Sequence, residues 1–179
     1  MKKPQVTVQQ IMQAALSIAT EKGAGKVTLD AVAKASGLSK GGLLYHFPSK
    51  EALISAMVQH LLDDAEANRL QLMQTDPSVL VSLLKARRLF SQAISGNTAM
   101  AILAAAAEHP ALLQPIQQHN SKVLADVLAE QDDELAAMLL MLASEGLVFQ
   151  ELLNISPFSE SQKAKLETYM INRAQELKK

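Results

Sequence analysis

The sequence predicts an all-α protein of about nine helices, and three observations lead to this fold class. Apolar residues recur at the three- and four-residue spacing of a helix along most of the 179 residues. Serine, threonine and aspartate precede these stretches, and glycine or proline follows many of them. No stretch alternates apolar and polar residues for long enough to predict a strand. The predicted helices form two blocks that divide near residue 48.

The first helix is predicted to begin at a capping box. Thr7-Val8-Gln9-Gln10 has that form. Thr7 can accept from a backbone N–H of the first turn, and the side chain of Gln10, three residues later, can accept from the N–H of Thr7. Apolar residues then continue at helical spacing until Gly23 and Gly25. This helix supplies the apolar surface that two shorter helices downstream need for folding.

Those two short helices have the spacing of a helix-turn-helix. Thr28 is a suitable N-cap for the first, and Gly37 suits the left-handed turn that ends it. Ser39 can cap the second helix, which should end near Phe47 because Pro48 disfavours helix in the residue before it. Two helices joined in this way place the second one in the major groove of DNA. Residues 28–53 therefore predict a function as well as a fold.

The C-terminal block opens with a long helix from Ser49 to about residue 75. Gly96-Asn97 is predicted to break the chain between two later helices, and Pro77 is predicted to open the first of them. Pro115 leaves two possible starts for the helix after that, one near Ala111 and one nearer to Pro115 itself. The remaining helices are predicted at about 77–95, 100–108, 111–130, 132–153 and 160–177. The helix at 132–153 is apolar on nearly all sides, which predicts burial in a core and in an interface.

Charge is distributed unevenly along the chain. Residues 1–60 carry seven lysines and three acidic residues, a net charge of +4, whereas the remainder carries 10 basic and 15 acidic residues, a net charge of −5. A basic N-terminal third suits a surface that faces phosphates, because each neutralised phosphate releases counterions. A solvated face with a chance excess of lysine is the alternative that charge alone leaves open.

Composition also restricts the location and the chemistry. The absence of cysteine excludes disulfides, thiolate metal sites and cysteine nucleophiles, and it suits a reducing cytoplasm. No signal peptide is expected, since no apolar run directly follows the basic start. No membrane span is expected either, because polar residues interrupt the apolar stretch 136–153. They are Ser144, Glu145, Gln150 and Glu151.

The segment TLDAVAKASGLSKGGLLYHFPSKEALISAM, residues 28–57, closely resembles the DNA-binding region of TetR/AcrR-type transcriptional regulators. The resemblance extends over residues 7–60. It implies a helix-turn-helix DNA-binding domain at 1–48 and a helical effector-binding and dimerisation domain at 49–179. It also implies a homodimer formed through the last two helices, a roughly palindromic double-stranded operator, and repression that an unknown small molecule releases.

The resemblance carries DNA contacts to eight positions of this chain, and Leu44 is added as a ninth candidate. They are Thr28, Ser39, Lys40, Gly41, Gly42, Leu44, Tyr45, His46 and Lys50. Lys40 is the best candidate for reading a base, because a cation at the start of a recognition helix can reach guanine O6 and N7. Lys50 and the hydroxyls of Thr28 and Tyr45 are better suited to contacts with phosphates.

Two of these positions depart from the pattern common in such regulators. Many of those proteins have a polar residue at the position of Gly42 and a tyrosine at the position of Leu44. Consecutive glycines weaken a helix by roughly 1 kcal/mol each against alanine, which favours close approach of the backbone to DNA. Leu44 can touch a thymine methyl or pack inside, and packing is slightly favoured. Specificity is therefore expected to depend on Lys40 and on DNA shape.

Candidates for an effector pocket lie on the inner faces of the predicted fifth to eighth helices. They are Met100, Leu103, His119, Met138, Met141, Glu145 and Phe149. Methionine lines adaptable cavities but also fills ordinary cores. Glu145 must be paired, protonated, solvated at a cavity or pointing outward, and it suits an effector contact and a salt bridge with Arg87 or Arg88 equally.

No enzyme, cofactor or metal site is predicted. His60 and Asp64 share a helix face, but no third ligand can be identified, and phosphate loops, nucleophile elbows and dinucleotide fingerprints are absent from the sequence. The main alternative to a regulator is an all-helical interaction module that uses its basic N-terminal unit for docking without a specific operator.

Overall fold

A computed structural model describes residues 7–76 and 78–177, whose regular structure is entirely helical. The α-helices are α1 (Val8–Lys22), α2 (Leu29–Ser36), α3 (Lys40–His46), α4 (Lys50–Met73), α5 (Val79–Ala93), α6 (Gly96–Glu108), α7 (Gln114–Glu130), α8 (Glu134–Leu152) and α9 (Glu160–Glu176). Short 3-10 helices span Ala24–Lys26 and Pro110–Leu113. The predicted all-α fold class is confirmed.

The N-terminal helix boundaries follow the capping chemistry. Thr7 forms the predicted capping box, since its hydroxyl accepts from the N–H of Gln10 and its own N–H donates to the Gln10 side chain. Gly37 ends α2 with a φ of 74°, the left-handed conformation that glycine adopts without a steric penalty. These local signals act within four residues of each helix end, so the sequence alone could identify them.

Two helix starts in the second half of the chain could not be fixed from composition alone. The predicted start of α6 at Met100 is wrong, because Ser95 caps the helix by accepting from the N–H of Thr98, and Gly96 already lies in its first turn. The later of the two possible starts holds for α7, which begins at Gln114 after a 3-10 turn. Pro77 lies outside the described residues, and the N-cap of α5 is Ser78.

The chain forms two compact units that alternate along the sequence. Unit 1 contains the described residues up to Leu61 together with Ser95–Ile116, and unit 2 contains Leu62–Ile94 together with the described residues from Gln117 onward. Local periodicity gave no sign that α6 belongs with the N-terminal helices. The division into functional domains at residue 48 stays a prediction.

Unit 1 has an apolar core built from α1 to α4, to which α6 contributes Ala101. Its fully buried side chains include Ile11, Ala15, Val32, Leu43 and Leu53. Three hydroxyls also join α1 to the start of α6, because those of Thr20, Ser95 and Thr98 lie within 3.1 Å of one another. Asn97 adds a hydrogen bond from its side-chain amide to the carbonyl of Thr20 at 2.9 Å.

Unit 2 has a core in which α5, α7, α8 and α9 meet. Its fully buried members include Leu80, Val81, Val127, Ala137 and Ala174. A charged pair lies at its edge: the guanidinium of Arg69, a residue that is only 5% exposed, donates through Nε and Nη2 to both carboxylate oxygens of Glu66, at 2.8 and 2.7 Å. Two parallel bonds of this kind are among the stronger charge-assisted interactions.

We expect this pair to make stability depend on pH. The hydrogen bond from Arg69 lowers the pKa of Glu66 from its ordinary value of 4.5. A carboxyl whose pKa is lowered by folding adds stability above its unfolded pKa, and that stability is lost as the pH falls through the folded value. Glu66→Gln should therefore lower the urea midpoint at pH 7 and differ less from the parent protein in increasingly acid solution.

The control for that experiment is Glu176→Gln, because Glu176 pairs with Arg173 at the surface. Exposed pairs of this kind contribute about 0–1 kcal/mol. Equal midpoint shifts in the two variants at pH 7, or a constant shift for Glu66→Gln across the acid range, would contradict the role given to the buried pair.

Helix α8 leaves much of its apolar surface uncovered within the chain. Leu135, Leu139, Leu142 and Phe149 are 72, 67, 67 and 50% exposed. Among the described residues α8 is long and apolar enough to cross a membrane, and α5 with α6 would also pass that test if the two helices formed one span. Core helices of soluble proteins pass the same test, so length and composition alone are weak evidence for a membrane span.

Candidate nucleic-acid interface

Helix α3 has one buried face and one bare face. Leu43 is fully buried and Phe47, the residue that ends the helix, is 7% exposed, so these two side chains fix α3 to the core of unit 1. Lys40, Gly41 and Tyr45 lie on the exposed side, where Tyr45 is 87% exposed. An aromatic ring left this bare within the chain is available to a partner.

Hydroxyl residues begin the helices that border this surface. Thr28 Oγ1 accepts from the N–H of Ala31 at the start of α2, and Ser39 Oγ accepts from the N–H of Gly42 at the start of α3. Capping occupies an acceptor position only, so each exposed O–H can still donate to a phosphate oxygen. Lys50 is exposed in the first turn of α4.

Lys40 forms an ion pair that sequence reasoning missed. Its Nζ lies 3.1 and 3.2 Å from the two carboxylate oxygens of Asp30, which is in the first turn of α2. The two residues are ten positions apart, and they meet because of the angle at which α2 and α3 pack. No local sequence signal could have predicted this contact.

The two glycines of α3 differ in their surroundings. A Cβ added at Gly41 would meet nothing within 4 Å, so the fold of this chain does not require glycine there. A Cβ added at Gly42 would lie 3.3 Å from Ser39 Oγ, the cap hydroxyl, so the fold itself partly accounts for this glycine.

Leu44 and His46 flank the bare face. Leu44 lies outside the buried core and is 36% exposed, because Leu43 and Phe47, four positions apart, occupy the inward positions. His46 is half-buried, and its ring packs edge-on against that of Tyr45 with the centroids 5.4 Å apart. All nine residues predicted to contact DNA therefore lie in α3 or within the first turns and caps of the helices beside it.

The predicted effector residues fall in both units. Met100 and Leu103 belong to unit 1, and the other five belong to unit 2. Met100 and Phe149 are about half exposed, whereas Met141 is buried in the core of unit 2. A small cavity of about 20 Å³ in unit 2, between α5, α8 and α9, is lined by none of the seven. Their role stays a prediction.

Glu145 is paired with Arg87. The guanidinium Nη2 of Arg87 lies 3.7 Å from Glu145 Oε2, and its Nη1 donates to the carbonyl of Met141 and to Ser144 Oγ. Burial lowers the pKa of Arg87, and the charge of Glu145 opposes that shift. The salt-bridge alternative predicted for Glu145 is thus present, with Arg87 as the partner.

No group of three or more metal-ligating side chains occurs within residues 7–76 and 78–177. His60 and Asp64 lie on the same stretch of α4 without a third ligand in that part of the chain.

Comparisons with known proteins extend over both halves of the chain. The family described as "Bacterial regulatory proteins, tetR family" matches residues 11–57, and the one described as "Tetracyclin repressor-like, C-terminal domain" matches residues 80–175. The HTH-type transcriptional regulator RutR of Escherichia coli K12 is 43% identical over 53 residues, which are 30% of this chain and 25% of RutR. The matched region thus spans about a quarter of the length of this curated relative.

Solved structures share the fold over nearly the whole chain. A TetR transcription regulator from Haloarcula marismortui has a TM-score of 0.74 at 17% identity, over 96% of this chain and 97% of its own. A transcriptional regulator from Rhodococcus sp. Rha1 has a TM-score of 0.69 at 19% identity, over 94% of each chain. At these identities the likeness concerns the fold alone. Since the C-terminal match covers more than half of the sequence and the N-terminal match covers the helix-turn-helix, the chain belongs to the tetR family of bacterial regulatory proteins.

Proposed function

We propose that this protein is a transcriptional regulator that acts in the cytoplasm and binds a specific DNA operator through α3. The observation that carries the proposal is the two-sided character of α3, whose inward face is buried while Lys40, Gly41 and Tyr45 stand bare. Lys40 reads guanine, and Thr28, Tyr45 and Lys50 bind phosphates on either side. The uncovered space around Gly41 supports close approach of the backbone to a base edge.

The regulator is proposed to be a repressor that a small-molecule effector releases. Family membership supports this assignment, and α4 provides a continuous helix that starts at Lys50 in unit 1 and ends at Met73 in unit 2. An effector can shift the protein only if it binds the arrangement that does not fit DNA more tightly. Helix α4 is the segment through which effector binding in unit 2 changes the position of α3.

A homodimer through α8 and α9 completes the proposal. The exposed apolar residues of α8 recur at intervals of four, three and seven, so they form one stripe along the helix. Leu166 and Tyr169 on α9 are also exposed, and they are the apolar residues that α9 is proposed to contribute to the interface. A second copy is a better cover than lipid, because Glu145 lies midway along α8 and α9 is rich in charge. Two-fold symmetry should then be matched by a palindromic operator.

Lys40→Ala should lower affinity for the operator by about 30-fold or more, since a good contact to guanine is worth about 1–3 kcal/mol and each dimer makes it twice. The operator is first isolated from a random pool of duplexes, and binding is then measured by fluorescence anisotropy at fixed salt. Lys122→Ala, which removes an exposed lysine from α7, is the matched control and should leave affinity unchanged.

The same measurement separates the regulator from an interaction module. A parent protein that binds the selected duplex and random duplex equally well would overturn the proposal of a specific operator. A reporter gene behind the selected operator tests the direction of regulation, because a repressor must lower its expression and an effector must restore it.

A further inference from the structure

The bare face of α3 and α2 contains one acidic residue in direct contact with the lysine best placed to read a base. Asp30 is the only acid between Lys22 and Lys50 in the sequence, and its carboxylate lies 3.1 Å from Lys40 Nζ. A carboxylate on a surface that faces phosphates is repelled by DNA unless something compensates it. The basic charge of this surface does not explain why an acidic residue, Asp30, lies on it.

Stability does not supply that explanation. The side chains of Lys40 and Asp30 are 61 and 70% exposed, and pairs this exposed add little to folding. Asp30 does have a favourable place in the first turn of α2, but that position is equally available to acids that touch no lysine. The consequence of the contact must appear when DNA approaches.

We propose that Asp30 is a specificity-determining residue that keeps Lys40 neutralised on random DNA and releases it only where guanine lies beneath α3. On a random sequence Lys40 gains one phosphate by leaving Asp30, while Asp30 is left unpaired beside the backbone, so the exchange is unfavourable. At the operator, guanine O6 and N7 accept from Lys40. The freed carboxylate can accept from the N4 amino group of a neighbouring cytosine, the base edge that suits an acid.

This inference rests on the proposed function, and it adds a test on random duplex that needs no operator. In Asp30→Asn, each protomer should bind random duplex about fivefold more tightly at 0.15 M salt, because one more lysine displaces counterions. The slope of log affinity against log salt should steepen by about 0.9 per protomer. Operator affinity should stay the same or fall by less than threefold, so the ratio of specific to random binding should fall about 5- to 15-fold.

Two controls isolate the contact from general charge. Glu21→Gln removes an exposed acid from α1 with the same change in charge and should leave the ratio unaltered. In a Lys40→Ala background, Asp30→Asn should no longer raise binding to random duplex, because no lysine remains to be freed. Thermal melting by circular dichroism checks that all variants are folded.

The possible outcomes distinguish this inference from the proposed function. A parent protein with no preference for any selected duplex overturns both. A clear preference, combined with unchanged random binding in Asp30→Asn, overturns the role of Asp30 alone. An equal rise on operator and random duplex, or a rise that persists without Lys40, shows plain repulsion by the carboxylate and also overturns it.

Discussion

Replacing Leu139 with aspartate should convert the proposed dimer into a monomer and lower operator affinity at least a hundredfold. Leu139 lies in the middle of the exposed stripe of α8 and is 67% exposed within the chain. In a dimer, an unpaired carboxylate would be buried from each copy, at a cost of about 3 kcal/mol or more per charge. A single α3 then reads too few base pairs for tight binding.

Light scattering at micromolar concentration measures this change as a halving of the mass. Leu70→Asp is the matched control, because Leu70 is a similarly exposed leucine of unit 2, at 51%, on α4 outside the stripe. A parent protein that is already monomeric, or a Leu139→Asp variant that remains dimeric, would contradict a dimer formed through α8.

Leu43→Ala should lower the free energy of unfolding by about 2–5 kcal/mol, whereas Leu44→Ala should change it by less than about 1 kcal/mol. The two leucines are adjacent in α3, but Leu43 is fully buried and Leu44 is 36% exposed. The first substitution leaves a cavity against the core of unit 1. Since natural domains are stable by about 5–15 kcal/mol, the loss is a large fraction of the total.

Urea unfolding followed by circular dichroism measures both effects. The adjacent position serves as the control, because helix propensity changes in the same way at both sites. Leu44→Ala should be visible in DNA affinity if Leu44 contacts a thymine methyl. Similar destabilisation by both substitutions would mean that α3 does not have the two faces on which the proposed interface depends.

The sequence predicted the fold well where the determinants are local. Thr7, Gly37 and Ser39 act on backbone groups within a few residues, so their patterns identify helix ends directly. The error at α6 arose because Gly96-Asn97 is typical of a break, although Ser95 placed just before it is a stronger helix start.

Long-range features could not be obtained in this way. The Asp30–Lys40 pair depends on how two helices cross, and the association of α6 with unit 1 depends on where the chain returns in space. For the partner of Glu145, the sequence predicts either Arg87 or Arg88. These two residues are adjacent, and only the rotation of α5 decides between them. The helix-turn-helix was predictable because many coordinated positions lie within thirty residues.

The alternation of the two units along the chain bears on how the protein folds as the ribosome makes it. Unit 1 cannot acquire the hydroxyls of Ser95 and Thr98 or the side chain of Ala101 until the first segment of unit 2, Leu62–Ile94, has been synthesised. That segment must in turn wait for helices made last. Unit 1 can thus be completed before unit 2, and until α6 has been made the nascent chain exposes an unfinished DNA-binding unit.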